Sequence, residues 1–466
     1  MHRFLVSAAH KSSGKTTLSI GLVAALRRRR LSVQPFKKGP DYIDPLWLSR
    51  AAGRGCRNLD FFLSPHEEIR AQFARGHDAD VCLVEGNKGL YDGLALDGGN
   101  SNAALARLLD LPVILVLDAR GMTRGIAPLI LGYQAFERDI RIAGVILNRL
   151  GGGRHEAKLR AVIEHYTDVP VLGAVHEDPQ LALVERHLGL MPANEAAQAG
   201  QLIAGIAASV ERQVDLDRLL AITATNLALP TPPAPPPWFE DRLRVAIAQD
   251  AAFGFYYTDD LDALADAGAE LVPFDTLRDI RLPDCDALFI GGGFPESFLD
   301  ELSANTGLRA DIRAKIEAGL PTYAECGGLM YLARSIAWRD TTRPMVGVID
   351  GDVVMHEKPV GRGYVILRPT ADHPWARPGD ATAPIHAHEF HYSEIRGLPA
   401  DWRPAYKVER GHGVDGCFDG IVRHNMLASY THLRATAGCD WPERFMQFAR
   451  ARRARRSTLE NATCST

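Results

Sequence analysis

The sequence predicts an α/β fold in two domains, the first built on a parallel sheet and the second following an α/β pattern of its own. Three observations carry this. Strand-length apolar runs alternate with helical stretches along most of the chain, and strands apolar at nearly every residue belong to parallel sheets covered on both faces. The length of 466 residues exceeds what one ordinary core organises. Between two such α/β series lies PTPPAPPP at 230–237, with six prolines in eight positions. Such a run cannot form a helix or central strand and favours an extended spacer. The expected division is therefore 1–229, a linker at 230–241, a second domain at 242–447 and a basic, flexible tail at 448–466.

Taken in order, residues 4–8 read as the first strand, leading into a helix from 15 to about 29. Residues 33–36, 81–84, 113–117 and 143–147 are the next strands. After the linker, 244–248 is a strand and 259–267 a helix. Strands at 270–273, 287–290 and 322–323 continue the series.

Composition narrows the function. With 46% hydrophobic and 24% charged residues the chain is an ordinary soluble protein, and its net charge of −4 argues against a general nucleic-acid binder. The basic run at 450–456 reads as a solvated end. Seven cysteines without a CxxC pair fit a reducing cytoplasm and no metal cluster. Cys82 and Cys285 read as inert packing. Apolar runs such as 113–117 are too short to cross a membrane, and the first residues lead into a strand without a signal-peptide core.

AHKSSGKT at 9–16 has phosphate-loop spacing, with Ala9 in place of the first glycine. Between a strand and a helix, Gly14 lets backbone N–H groups turn toward phosphate. Lys15 reaches the β- and γ-phosphates, the Thr16 hydroxyl suits Mg²⁺, and Thr17 follows in the cradle. Acidic residues then recur where strands end: Asp41 and Asp44 after the second strand and Glu85 after the third, with Asp92 farther along that loop. Ligands of open α/β sheets collect at the carboxyl ends of strands, so these oxygens should converge near phosphate as hard Mg²⁺ ligands. Asn148 stands where an amide could read adenine.

In the second half, GGGFPE at 291–296 follows a strand, and the Gly292 and Gly293 amides are candidates for an oxyanion hole. Cys326, in YAECGG at 323–328, lies at a strand-to-helix turn whose field is expected to favour a thiolate. His432 is the candidate base. His386, His388 and His391 lie on a probable strand, where alternation sends them in part to opposite faces and disfavours zinc.

GPDYIDP (39–45), EGNKGLYDG (85–93), LVLDARGM (115–122) and GVILNR (144–149), in this order, resemble the cobyrinic acid a,c-diamide synthase family. The resemblance covers nearly the whole chain. It implies a dethiobiotin-synthetase-like nucleotide-binding domain followed by a class I glutamine amidotransferase domain of the cobyric/cobyrinic type. It further implies ATP and Mg²⁺ at Lys15 and Thr16, with Asp41, Asp44 and Glu85 around the metal and phosphates. Tyr42 and Asp92 would lie toward a tetrapyrrole polycarboxylate and Asn148 toward adenine. Cys326 and His432 would form a dyad acting on L-glutamine, and the resemblance implies a structural use of the segment bearing His386, His388 and His391. The triad glutamate usual two residues after the histidine is Arg434 here, and no third residue is assigned. Departures at Lys38 and Asn87-Lys88 add polar and cationic groups near an acidic substrate.

The reaction expected from this resemblance is ATP- and glutamine-dependent amidation of the a and c acetates of a tetrapyrrole, through an acyl phosphate and internally transferred ammonia. Cobyrinate or hydrogenobyrinate is the family's usual substrate. FKKGPDYIDP and GNKGLYDG also resemble a siroheme-amidating branch linked to dissimilatory sulfur oxidation, which makes siroheme or sirohydrochlorin the rival and inclines the expectation toward it. No nucleic acid or membrane partner is expected, and a homodimer is among the allowed assemblies. The alternative is a partitioning-type ATPase switch that binds protein partners. His10, where that group has its signature lysine, counts against it.

Overall fold

The computed structural model describes residues 1–179, 185–186, 189–193, 198–226, 229–230, 239–377 and 383–463. The chain forms two compact units, Met1–Pro233 and Ala234–Thr466. Residues 231–237 of the proline run lie outside the described residues.

The first unit is a seven-stranded sheet. Its strands are β1 (His2–Ala8), β2 (Val33–Lys38), β3 (Arg57–Leu59), β4 (Val81–Glu85), β5 (Val113–Asp118), β6 (Ile142–Leu150) and β7 (Val171–His176). They lie in the order β3-β2-β4-β1-β5-β6-β7, and every pairing is parallel. Helices α1 (Lys15–Arg28), α2 (Ile43–Ala52), α3 (His66–Ala74), α4 (Asn102–Leu109), α5 (Ile126–Phe136), α6 (Gly153–Tyr166), α7 (Ala199–Gln213) and α8 (Leu216–Thr223) complete it, with a two-residue pair β8 (Glu185–Arg186) and β9 (Gly189–Leu190). Alternation along β1 feeds two cores. Phe4, Val6 and Ala8 join the helices α1 and α7 on one face, and Leu5 joins the cluster with α4 and α5 on the other. A parallel sheet buried on both faces results, as its apolar strands require. At Gly21 a Cβ would lie 2.5 Å from Val210, so glycine permits the close approach of α1 to α7.

The second unit contains a nine-stranded mixed sheet. Its parallel part comprises β12 (Ala269–Phe274), β10 (Leu243–Ala248), β13 (Ala287–Ile290), β15 (Thr322–Glu325) and β24 (Met426–Ser429), in that order. Antiparallel strands β23 (Phe418–Arg423), β22 (Arg403–Arg410), β19 (Gly361–Pro369) and β20 (Ile385–His391) extend it. A second sheet joins β17 (Thr341–Pro344), β16 (Ala333–Trp338), β18 (Ile349–Met355) and β21 (Ser393–Arg396). Short strands β11 (Phe253–Phe255) and β14 (Gly292–Gly293) pair antiparallel. Helices α9 (Thr258–Asp266), α10 (Leu299–Ala304), α11 (Thr306–Glu317), α12 (Gly327–Leu332) and α13 (Trp441–Thr463) accompany them.

α13 crosses the boundary expected at 448 without a break and ends at Thr463, and 464–466 of the expected tail lie outside the described residues. Phe448 and Ala449 are buried. Arg450 donates to the Ala267 carbonyl at 2.8 Å, and Arg453 pairs with Asp241 and Asp286. The apolar face of the helix continues past the expected boundary and several of its cations find partners. Among the described residues no helix is long and apolar enough to cross a membrane.

Candidate active sites

In the first unit the strand ends gather the predicted residues. Gly14, with φ +83°, caps α1. A Cβ there would fall 2.2 Å from Asn148 Nδ2, which itself donates to the Ser13 carbonyl at 2.9 Å. Glycine is therefore required twice, for the left-handed turn and for the close approach. Lys15 Nζ donates to the Lys88 carbonyl at 2.7 Å, tying the phosphate loop to the loop after β4. The Thr16 hydroxyl donates to Glu85 at 2.7 Å and to Asp44 at 3.3 Å. Thr17 and Asn148, with Gly14, Arg149, His176 and Ser209, line a cavity of about 320 Å³ beside the loop, a volume suited to a nucleoside.

Sequence reasoning missed Lys37. Its ammonium is buried between Asp44 and Glu85, 3.1 Å from the latter and 3.7 Å from Asp41. Burial alone would lower its pKa, but Asp44, Glu85 and Asp41 more than offset this and raise it well above the ordinary lysine value. Burial pushes the Glu85 carboxyl up despite Lys37, and burial lowers Lys15. Its one sequence signal is its place next to the last residue of β2, where the sheet pairs it with Glu85 at the end of β4.

A hard cation fits here. Glu85 Oε2 is fully buried with no hydrogen-bond partner, facing a set completed by Asp44 and the Thr16 hydroxyl. Mg²⁺ typically takes one or two carboxylates and completes its shell with phosphate and water. Asp41 stands apart from the expected set. Its Oδ1 accepts from the Ile43 and Asp44 amides and anchors the start of α2. Accordingly, no group of three or more His, Cys, Asp or Glu among the described residues is arranged to hold a metal. Tyr42 is buried, with 9% exposure. Asp92 is exposed and holds its own loop by accepting from the Gly89 amide at 2.8 Å. Lys38 donates to Asn87 at 3.2 Å, and burial, helped by Lys37 and Lys88, brings its pKa down to about 8.

In the second unit Cys326 sits between β15 and α12 with φ +47° and ψ −100°, a strained turn that holds the side chain off both elements. Its amide donates to the Ser429 carbonyl at 2.7 Å, and its sulfur lies 3.9 Å from the Phe390 carbonyl. Against the expected thiolate, burial, then Glu296, push the thiol well up despite the Gly327 amide, and the helix that follows has only six residues. Gly292 and Gly293 form β14 against β11. A Cβ on Gly292 would stand 2.7 Å from His432 Cε1, and one on Gly327 2.9 Å from the Gly293 amide nitrogen, so candidate base, nucleophile turn and candidate oxyanion glycines are neighbours.

His432 is held on both sides. Its ring stacks on His388 at 5.0 Å and 18°, while the two backbones exchange hydrogen bonds. Tyr257 in turn contacts the His388 ring through its hydroxyl. The expected structural role of the histidine segment agrees with this packing. Behind Nδ1 of His432 lies Glu325 Oε2 at 3.4 Å, a residue the sequence reading did not single out. Its other oxygen accepts from the Tyr323 hydroxyl at 2.6 Å and the Leu433 amide at 3.0 Å. Arg434 is instead fully buried against Asp259 and the Tyr257 ring.

Comparisons with known proteins cover both units. Residues 5–190 match the CobQ/CobB/MinD/ParA nucleotide binding domain, and 244–438 the CobB/CobQ-like glutamine amidotransferase domain. The chain is 45% identical over 458 residues to the cobyrinate a,c-diamide synthase of Magnetococcus marinus, covering 97% of each. It is 40% identical to that of Methanosarcina barkeri, covering 96% of each, and 42% identical to that of Methanosarcina acetivorans, covering 93% of each.

Proposed function

Because the chain belongs to the cobyrinate a,c-diamide synthase family, we propose that it amidates the a and c acetate carboxylates of a tetrapyrrole. It is a glutamine-dependent, amide-forming ligase with a nucleotide-binding domain. We assign the ATP-dependent step to residues 1–229 and glutamine hydrolysis to 242–447, in a cytoplasmic enzyme. One observation carries the reading: a single chain joins the Thr16–Glu85–Asp44 cluster to the Cys326 turn beside His432.

A carboxylate is a poor electrophile, so the acetate oxygen first attacks the γ-phosphorus of ATP. The bond to ADP breaks and an acyl phosphate forms. Lys15 steadies the phosphates, and Thr16, Asp44 and Glu85 would hold Mg²⁺, which supplies charge neutralisation there. Cys326 sulfur attacks the glutamine amide carbon while His432 takes the thiol proton and returns it to the departing ammonia. Water then releases glutamate from the thioester. Ammonia transferred within the enzyme attacks the acyl carbon and phosphate leaves. Shelter from water keeps the ammonia unprotonated.

Cobyrinate or hydrogenobyrinate is the first substrate reading. Siroheme or sirohydrochlorin is the second, favoured by Lys38, Asn87 and Lys88 beside the phosphate site. Incubating each acid with ATP, Mg²⁺ and glutamine and measuring the mass gain of one or two amides tests both. No gain on any of them overturns the reading.

A further inference from the structure

Large apolar side chains are left open to solvent beside the phosphate site. Leu94 is 63% exposed, Leu96 107% and Phe136 71%. They lie on two neighbouring segments, Leu94 and Leu96 on the 93–100 loop and Phe136 at the end of α5. Tyr91 packs on Phe136 with ring centroids 4.9 Å apart and on Tyr133 at 5.3 Å. A Cβ built on Gly98 would stand 3.8 Å from the Glu137 carboxylate, which places the 93–100 loop against the end of α5.

The corner is joined rigidly to the reaction centre. Tyr91 donates to the Tyr133 carbonyl at 2.6 Å, and the Tyr133 hydroxyl donates to Ala9 at the start of the phosphate loop. The loop leading to Tyr91 is pinned from below, because the Asn102 amide donates to Ser7 and to the carbonyls of Asn87 and Gly89. Exposed Lys88 stands three residues before Tyr91, its carbonyl on Lys15.

We propose that Tyr91, Leu94, Leu96 and Phe136 form the seat for the flat apolar face of the macrocycle, with Lys88 at its edge meeting the acidic arms. This rests on the tetrapyrrole reading above and adds the surface that carries the ring. A polycarboxylate macrocycle presents an apolar disc with anionic arms, and this corner offers aromatic and aliphatic contact bordered by a cation. A few side chains fall well short of the roughly 800 Å² per partner that a stable protein interface buries. Position also favours the substrate, since an acetate on a ring seated here is carried toward Lys15 and Thr16.

The test is a spectroscopic titration of the full chain with cobyrinic acid and, separately, sirohydrochlorin. The Leu96→Ser/Phe136→Ser double variant changes only exposed side chains. Its Kd for whichever macrocycle the native chain binds should rise about ten-fold or more, while ATP binding and glutamine hydrolysis stay unchanged. Ile280→Ser, at an exposed apolar site in the other unit, should leave all three unchanged. Native binding with an unaltered Kd in the double variant overturns this seat and leaves the tetrapyrrole reading standing. Failure of the native chain to bind or amidate either macrocycle overturns that reading and the seat with it. A dimer seen by sedimentation in the native chain and lost in the variant, with Kd unchanged, assigns the corner to a second copy and overturns the seat.

Discussion

Glu325 Oε2 stands 3.4 Å from His432 Nδ1, and both side chains are buried. The carboxylate is fixed by Tyr323 and the Leu433 amide, so it faces the imidazole in one orientation. We propose that it takes the orienting role that Arg434 cannot fill, steadying the ring so that the other nitrogen is free to exchange protons. In glutamine-dependent turnover Glu325→Gln should therefore lower kcat by about 10²-fold or more, with little change in KM for glutamine. Ammonia-dependent amidation should persist. Loss of both activities would indicate damage to the fold instead, and unchanged kcat would remove Glu325 from the mechanism.

Cys326→Ala should abolish glutamine use and retain activity with free ammonia, measured as amide formation with each nitrogen source. Full glutamine-dependent activity in this variant would end the assignment. The backbone adds a second readout. At φ +47° and ψ −100° any residue with a Cβ is strained, whereas glycine is not. Cys326→Gly should accordingly be more stable than Cys326→Ala by about 1 kcal/mol in denaturant titration.

What the sequence disclosed follows physical lines. The β1, β4 and β5 strands were legible because both faces are buried and apolar residues run continuously, as in Val113–Asp118. β18 and β19 were not. β18 is buried at every second residue and β19 only from Val365 onward, and Asp350, Asp352, Arg362 and Arg368 interrupt the apolar pattern. The phosphate loop and Cys326 were legible because their chemistry is local. Glu325 was hidden because its partner is 107 residues away, brought close by the parallel pairing of Glu325 with Ser429. Lys37 was hidden because a buried cation among carboxylates is a property of three converging strand ends and loops.

Lys37 bears on the position proposed for Mg²⁺. Its ammonium compensates Asp44 and Glu85 in the interior. Lys37→Met leaves those carboxylates unpaired, a loss of about 3–5 kcal/mol. Glu85 is already pushed up by burial, and without the lysine it should rise further. A carboxyl whose pKa is higher in the folded state binds more protons there. The Tm of the variant should therefore fall as pH rises above the ordinary carboxylate range, more steeply than that of the native chain. Mg²⁺ with ATP should raise the variant's Tm by more than it raises the native one. Equal shifts in thermal unfolding would separate Lys37 from the metal position.

Lys38 gives a pH dependence with a definite sign. Burial lowers its pKa from the ordinary 10.5 to about 8, and its ammonium rests on Asn87 in the loop that bears Lys88. If it attracts the acidic arms of the substrate, KM for the macrocycle should rise as pH passes through about 8 and the charge is lost. Lys38→Met should show the high KM throughout, and Lys38→Arg should keep the low KM at alkaline pH. Stability should move the other way. Between about 8 and 10.5 the unfolded chain binds more protons than the folded one, so the native protein gains stability as pH rises. Lys38→Met should thus be the more stable protein near pH 7, with its advantage shrinking across that window. A KM that ignores pH, together with this stability trend, would make Lys38 a buried structural cation with no part in substrate recognition.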